Sequence, residues 1–265
     1  MNKKIITSLA LLLWLTACSE KPIESVEETK IGKINLVNLN YFADEKPLPD
    51  FKKYPAGKQR KQAFFKFIAP IIKSENERIA TIREASLKVA ELVLDGSATE
   101  HQTQWLVNVC QRYKIDCEAG VTKETIASLN RRINKLPASL AIAQAANESA
   151  WGTSRFAVQA NNLYGQWCFS EGCGLAPNQR NEGAIHEVRK FDSPVASVRS
   201  YLLNLNRHPA YQGLRGIRAD LIKQKQKVTG HALAAGLIQY SERKHEYVEE
   251  LRQMIRFNKL SKYES

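Results

Sequence analysis

The sequence predicts an α+β chain that is mostly helical, with a small β element inserted among the helices. Three observations predict it. Apolar residues recur at spacings of three and four from Gln59 to Lys135, and the period resumes after Pro194. Between Asn161 and Phe191 it vanishes into a stretch containing glycines and two cysteines. Within that stretch only Glu187-Val188-Arg189-Lys190-Phe191 alternates, weakly, as a strand would. At 265 residues the chain is long enough for one large or two small cores.

The N-terminus comes first. Met1 to Lys4 is basic, Ile5 to Leu15 is apolar, and Leu15-Thr16-Ala17-Cys18 follows. A charged start, a short apolar run and small residues before a cut site read as a secretory signal over residues 1–17. The run falls short of the roughly 20 residues a spanning helix needs. The cysteine ending resembles the bacterial lipobox, which implies lipidation at Cys18. Ser19 in place of Asp implies, by the sorting pattern of such lipoproteins, the periplasmic side of the outer membrane. Residues 18–58 are polar, with Pro22, Pro47, Pro49 and Pro55 among Glu, Asp and Lys, and are expected to be a flexible tether.

Residues 59–136 form the expected N-terminal helical region, packed on the domain that follows. Phe64, Phe67, Ile68, Ile71 and Ile72 mark a first stripe. Ser74-Glu75-Asn76-Glu77 has the form of a capping box opening a second helix that ends near Asp95-Gly96. Trp105, Leu106, Val109 and Tyr113 mark a third helix, and Ile126, Leu129, Ile133 and Leu136 a fourth. Residues 137–265 are the expected catalytic domain. Its first helix starts near Pro137, where proline suits the first turn, and runs to Trp151-Gly152. The strand near Glu187 is expected to pair with residues of Tyr164 to Phe169. Helices are expected from Pro194 to Asn206 and from His231 to Phe257.

Charge and cysteines narrow the function classes. The formal charge is +12, and +10 once Lys3 and Lys4 leave with the signal. Such a balance favours nucleic acid, an anionic membrane or an acidic polymer. Export argues against nucleic acid, whereas peptidoglycan, whose peptides carry free carboxylates, fits charge and compartment together. Cys110, Cys117, Cys168 and Cys173 remain beside Cys18, an even number suited to an oxidising compartment. Three connectivities are open, and two local bridges, Cys110–Cys117 and Cys168–Cys173, are the simplest. Neither pair has CxxC spacing, so no metal is expected. No glycine-rich phosphate loop calls for a nucleotide, and no cofactor is expected.

The chemistry concentrates in Ala145-Ala146-Asn147-Glu148-Ser149-Ala150-Trp151-Gly152. Glu148 sits near the C-terminal end of an apolar, alanine-rich helix, before Trp151 and Phe156. The partial negative charge of a helix C-terminus and aromatic neighbours that exclude water both raise a carboxyl pKa. A carboxyl kept protonated near neutrality is what a glycosidase needs to protonate its leaving group; lysozyme is the reference case for that logic. Ala141 and Ala145, on the same face, leave room for a backbone or a ligand.

Glu148-Ser149-Ala150-Trp151-Gly152, Asn161-Asn162-Leu163-Tyr164-Gly165, Phe191-Asp192-Ser193, His208-Pro209-Ala210-Tyr211 and the late Tyr240 and Tyr247 occur in an order that resembles the glucosaminidase family of peptidoglycan hydrolases, glycoside hydrolase family 73. The whole chain is similar to the Bax-like lipoproteins of Gram-negative bacteria. The resemblance implies a lysozyme-like fold with a cleft between a helical lobe and a small β-hairpin lobe. It also implies β-1,4 cleavage after N-acetylglucosamine by an endo-β-N-acetylglucosaminidase acting as a monomer.

Carried across, Glu148 matches the family's acid, and Tyr240 a cleft tyrosine whose hydroxyl could contact the acetamido group. Trp151, Tyr164, Trp167, Tyr211 and Tyr247 are candidates to bind substrate, core packing being the rival role for several of them. Asn161 and Asn162 match a turn that places the β lobe. A second carboxylate is expected from the hairpin, where Glu182 is favoured over Glu171 and Glu187 though none has the family spacing. Without one, the substrate's N-acetyl group could assist, or the enzyme could be a lytic transglycosylase, which needs a single acid. A peptidoglycan-binding lipoprotein without catalysis is the third reading.

Overall fold

The computed structural model describes residues 23–41, 46–177 and 186–264. The expected signal peptide and the candidate residues Cys18 and Glu182 lie outside them. Among the described residues no helix is long and apolar enough to cross a membrane. The architecture is mostly helical α+β, as the apolar periods predict.

A 37-residue helix, α1 (Lys58–Leu94), runs through the centre of the fold, about 55 Å at 1.5 Å per residue. Its stripe of Phe64, Ile68, Ile72, Ile79, Ile82 and Val89 is buried. The predicted helix start at Ser74 does not occur, because α1 passes straight through it. The polar residues that imitate a capping box reach out to neighbouring elements instead. Glu75 accepts two hydrogen bonds from Arg199, at 2.8 and 2.7 Å. Asn76 exchanges hydrogen bonds with the backbone of Leu136, at 2.8 and 2.9 Å. A buried amide needs such partners, and here they hold the segment that leads into the helix after Pro137.

Much of the expected tether is folded. Residues Ile23–Thr29 (β1) and Gly32–Val37 (β2) form an antiparallel hairpin. Ile34, Leu36 and Val37 are buried, the Trp105 indole donates to the Val37 carbonyl at 2.9 Å, and Arg78 donates to the carbonyls of Asn38 and Leu39. The alternation of Ile34 and Leu36 carries the strand, but the surrounding prolines and charges masked it. Phe51, 1% exposed, docks beside Phe64 and Phe67.

Helices α2 (Glu100–Tyr113) and α3 (Lys123–Arg132) both open with capping boxes, at Thr99 and Thr122. Cys110–Cys117 closes the turn after α2. Helix α4 (Ala138–Glu148) follows Pro137; Leu140, Ala141, Ile142, Ala143, Ala145 and Ala146 are all fully buried. Ala141 and Ala145 thus admit neighbouring protein, not ligand. A short α5 (Arg155–Ala160) leads into the β lobe. There Trp167–Cys168 (β3) and Gly174–Leu175 (β4) flank Glu187–Arg189 (β5) in the antiparallel order β3-β5-β4. The expected hairpin therefore gains a third strand, and Cys168–Cys173 ties β3 towards β4.

Helix α6 (Pro194–Arg207) lies where the period placed it. The sequence reading has no counterpart for α7 (Gln212–Lys223). Its inward face carries Leu214 with Arg215 and Arg218, two charges where an apolar stripe would hold aliphatic side chains. Both are satisfied: Arg215 donates to the carbonyls of Leu205 and His208, and Arg218 to the Arg131, Asn134 and Lys135 carbonyls and to Asn206. The single late helix expected over 231–257 divides into α8 (Gly230–Leu233), a 3-10 turn to Leu237, and α9 (His245–Phe257). The polar run Ser241–Lys244 separates them.

Candidate active site

Glu148 is the last residue of α4. Directly after it the chain reverses through Ala150 and Trp151, both with left-handed backbone (φ 48° and 60°). The Trp151 amide returns to the Ala146 carbonyl at 2.9 Å, and the Gly152 amide donates to the Ser149 hydroxyl at 2.8 Å. Gly152 permits this turn twice over. Its φ is +76°, and a Cβ there would lie 2.4 Å from the Phe51 ring. Two consecutive non-glycine residues at positive φ are costly, so the end of α4 is fixed by its surroundings.

The Glu148 side chain is half-buried. Its Oε1 accepts a hydrogen bond from the Tyr247 hydroxyl at 2.7 Å. The Tyr247 oxygen in turn accepts from Gln144 Nε2 at 2.9 Å, and Gln144 Oε1 accepts from the Tyr201 hydroxyl at 2.5 Å. Burial raises the Glu148 pKa above its usual 4.5, while the hydrogen bonds from Tyr247 and Asn147 oppose the rise; Glu250 adds to it and Arg243 subtracts. The net direction is upward, which favours a proton donor.

The turn of residues 161–165 approaches the same carboxyl. A Cβ on Gly165 (φ +65°) would stand 3.6 Å from Glu148 Oε2. The two asparagines hold this turn, as their structural reading requires. Asn161 donates to the carbonyls of Phe191 and Asp192. Asn162 donates to those of Gln166 and Arg189, and its Oδ1 accepts from the amides of Tyr164 and Gln166.

The aromatic candidates separate into groups. Tyr247 is at Glu148. Tyr240 stacks on it with centroids 5.6 Å apart, and its hydroxyl donates to the Tyr164 carbonyl at 2.8 Å. A tyrosine hydroxyl has one proton and two lone pairs, so Tyr240 retains only acceptor capacity for a ligand. Tyr211 is buried 6.0 Å from the Tyr240 ring. Tyr164, 1% exposed, stacks on Tyr201 at 3.8 Å; it is core and offers no surface to a sugar. Trp151 packs against Phe64 and Phe65 of α1 with Lys61 over its ring, and thus docks the N-terminal region. Trp167 is 56% exposed and stacks on His186 at 4.2 Å, a surface open to a sugar ring.

Of the three hairpin carboxylates, Glu187 is turned inward onto the disulfide loop, where it accepts from the amides of Gly172 and Gly174 at 3.3 and 2.7 Å. Glu171 is exposed between the bridged cysteines. Cys168, Cys173 and Glu187 come close enough to suggest a metal, but the two sulfurs are bonded to each other and have no thiolate to offer. Sequence reasoning missed Gln144, Tyr201, Arg243 and Glu250. Gln144 carried a usable signal, since it is the one polar residue inside an otherwise apolar and alanine-rich run and lies one turn before Glu148. Arg243 and Glu250 pair with each other at 2.6 Å, and nothing in their local sequence marks them. Two grooves flank α1 near Lys66 and Pro70, and Glu148 lines neither. The site is recognised by its chemistry, not by the size of a hollow.

Comparison with known proteins gives three matches. The family model described as glucosaminidase, mannosyl-glycoprotein endo-beta-N-acetylglucosaminidase, matches residues 124–260. Protein bax of Escherichia coli strain K12 is 34% identical over 212 residues, which cover 77% of this chain and 72% of that protein. The catalytic domain of the autolysin Auto from Listeria monocytogenes aligns over 80% of this chain and 92% of that one, at 17% identity and a TM-score of 0.39. That last likeness is too distant to bear on the site.

Proposed function

The chain belongs to the glucosaminidase family and is a glycoside hydrolase, and on that premise we propose that it cuts peptidoglycan at the β-1,4 bond after N-acetylglucosamine, with Glu148 as general acid. One observation carries the assignment. Within the matched residues, a half-buried carboxyl at a helix end has its pKa raised by burial and faces a turn with no side chain at Gly165. The neutral carboxyl protonates the glycosidic oxygen as the bond to the anomeric carbon breaks, and the positive charge that develops on the sugar calls for a second group. Glu182 fills that role in this reading. Glu187 is less suited because its oxygens are engaged by the disulfide loop. Tyr240 accepts from the acetamido N–H, and Trp167 supplies a stacking face for a sugar ring.

The expected lipid anchor at Cys18 places the enzyme on the periplasmic side of the outer membrane. Because β1 begins at Ile23, the chain from Cys18 to Ile23 spans at most about 18 Å. The tether in this reading is short, and the catalytic domain works close to the membrane surface.

Mass spectrometry of the soluble products from purified sacculi tests the reaction. Fragments ending in reducing N-acetylglucosamine are expected. Reducing N-acetylmuramic ends would contradict the bond assignment, and anhydromuramic ends would make the enzyme a lytic transglycosylase.

A further inference from the structure

The acid does not stand alone on its helix. Gln144 lies four residues before Glu148 on the same face of α4 and is fully buried among alanines. An amide in such a place is costly unless its groups are paired, and both its oxygen and its nitrogen are. The hydrogen bonds run in one direction: Tyr201 to Gln144, Gln144 to Tyr247, Tyr247 to Glu148. We propose that Gln144 and Tyr201 are positioning residues that determine, through Tyr247, which oxygen of Glu148 carries the proton it donates. The proposal rests on Glu148 being the acid.

Tyr247 has a single hydroxyl proton. With its oxygen accepting from Gln144, that proton goes to Glu148 Oε1. An oxygen that accepts from a phenol leaves the carboxyl's own proton on the other atom, Oε2. Oε2 is the oxygen beside Gly165, a residue with no side chain to stand between the carboxyl and a sugar oxygen. Reversing the polarity, with the Tyr247 proton given to Gln144, would require Glu148 to donate from Oε1 into the protein, away from substrate. Gln144 thus separates a productive acid from an equally neutral but misdirected one.

The far end of the chain returns to the same turn. Tyr201 is held by its stack on Tyr164, the residue before Gly165, and the Tyr164 carbonyl is held by Tyr240. The acid's orientation and the Gly165 turn beside it are fixed by one closed set of contacts. The charged and titratable groups that act on Glu148 are Tyr247 and Glu250 from α9 and Arg243 just before it. Tyr201 from α6, Tyr211 and Tyr240 feel its charge in return.

The test compares Gln144→Leu, Gln144→Glu, Tyr201→Phe and Glu148→Gln with wild type on soluble glycan fragments. For Gln144→Leu, kcat should fall about 10- to 100-fold, the scale of a misdirected catalytic group, with KM within about twofold. With the donor gone, Tyr247 can accept from protonated Glu148, so the alkaline limb of the pH profile should move to higher pH. Gln144→Glu, similar in shape, should regain activity as pH falls and its carboxyl becomes a donor again. Tyr201→Phe removes one oxygen and fills the same space. It should fold and show a smaller loss of kcat, about 3- to 10-fold, with the same direction of pH shift. Wild-type kcat and pH profile in a folded Tyr201→Phe would overturn the proposal, whether or not the Gln144 variants fold. If Glu148→Gln is inactive while the others behave as wild type, only the positioning role fails. If Glu148→Gln is active, the assignment of the acid fails.

Discussion

Gly165→Ala adds one methyl group at the point where the β lobe meets Glu148, the proposed acid. Its stability cost follows from the backbone: φ is +65°, and an L-residue in the left-handed region costs about 1–2 kcal/mol. For a chain of this size that lowers Tm by about 2–8 °C. The effect on activity follows from a distance. The new carbon would stand 3.6 Å from Glu148 Oε2, an ordinary contact that the fold tolerates. A glycosidic oxygen, however, must come within about 2.6–3.2 Å of the donor, and the methyl occupies one side of that approach. A displacement of about 1 Å from a productive geometry costs roughly 100-fold, which is the expected loss in kcat/KM. The methyl also removes water from the carboxyl, so the residual activity should persist to higher pH than in wild type. Release of reducing ends from sacculi, alongside thermal melting by circular dichroism, measures both effects. Gly213→Ala is the control, because nothing lies within 4 Å of its added carbon and it sits inside α7; it should hold or gain stability and keep full activity. If Gly165→Ala melts lower yet turns over like wild type, the substrate does not approach Oε2 past this turn, and the reasoning is refuted.

Glu75→Ala breaks a buried, doubly hydrogen-bonded ion pair between α1 and α6, whose side chains are only 4% and 8% exposed. Removing one partner of such a pair costs about 3–5 kcal/mol, a fall in Tm of about 6–20 °C; a change under about 3 °C would show that α1 is not anchored through this pair. Glu148→Gln should be more stable than wild type at neutral pH. Because burial raises the folded pKa of Glu148 above its usual 4.5, its contribution to stability is fully present below that unfolded value and is lost as pH rises through the folded one. The advantage of the variant, read from melting curves at pH 4 and pH 8, should therefore grow with pH, and a constant difference would contradict the burial of the carboxylate.

Elements governed by one short-range rule were legible in the sequence. The apolar period of α2, α3 and α6 and the two local disulfides follow from near neighbours. Elements whose logic is long-range were not. Glu75 and Asn76 look like a helix boundary until Arg199 and Leu136 are placed beside them. Arg215 and Arg218 disguise the buried face of α7, because the carbonyls that satisfy them come from α3, α6 and the segments after them. The site divides in the same way. Glu148 was readable from its helix end and its motif, whereas Trp151, adjacent in sequence, turns away to pack on α1. Tyr247 lies 99 residues from Glu148 yet touches it, and Tyr201 joins only through Gln144. A motif names residues that matter without saying which way each one faces.

Every role proposed for the site depends on Glu148 being the acid. Purified wild-type protein and Glu148→Gln, matched by circular dichroism, should be incubated with sacculi while soluble reducing N-acetylglucosamine ends are counted. Wild type should release them steadily. The Gln variant should release at least about 100-fold fewer, the lower end of what general acid catalysis contributes. Release by the Gln variant at a rate near wild type would show that the proton comes from elsewhere.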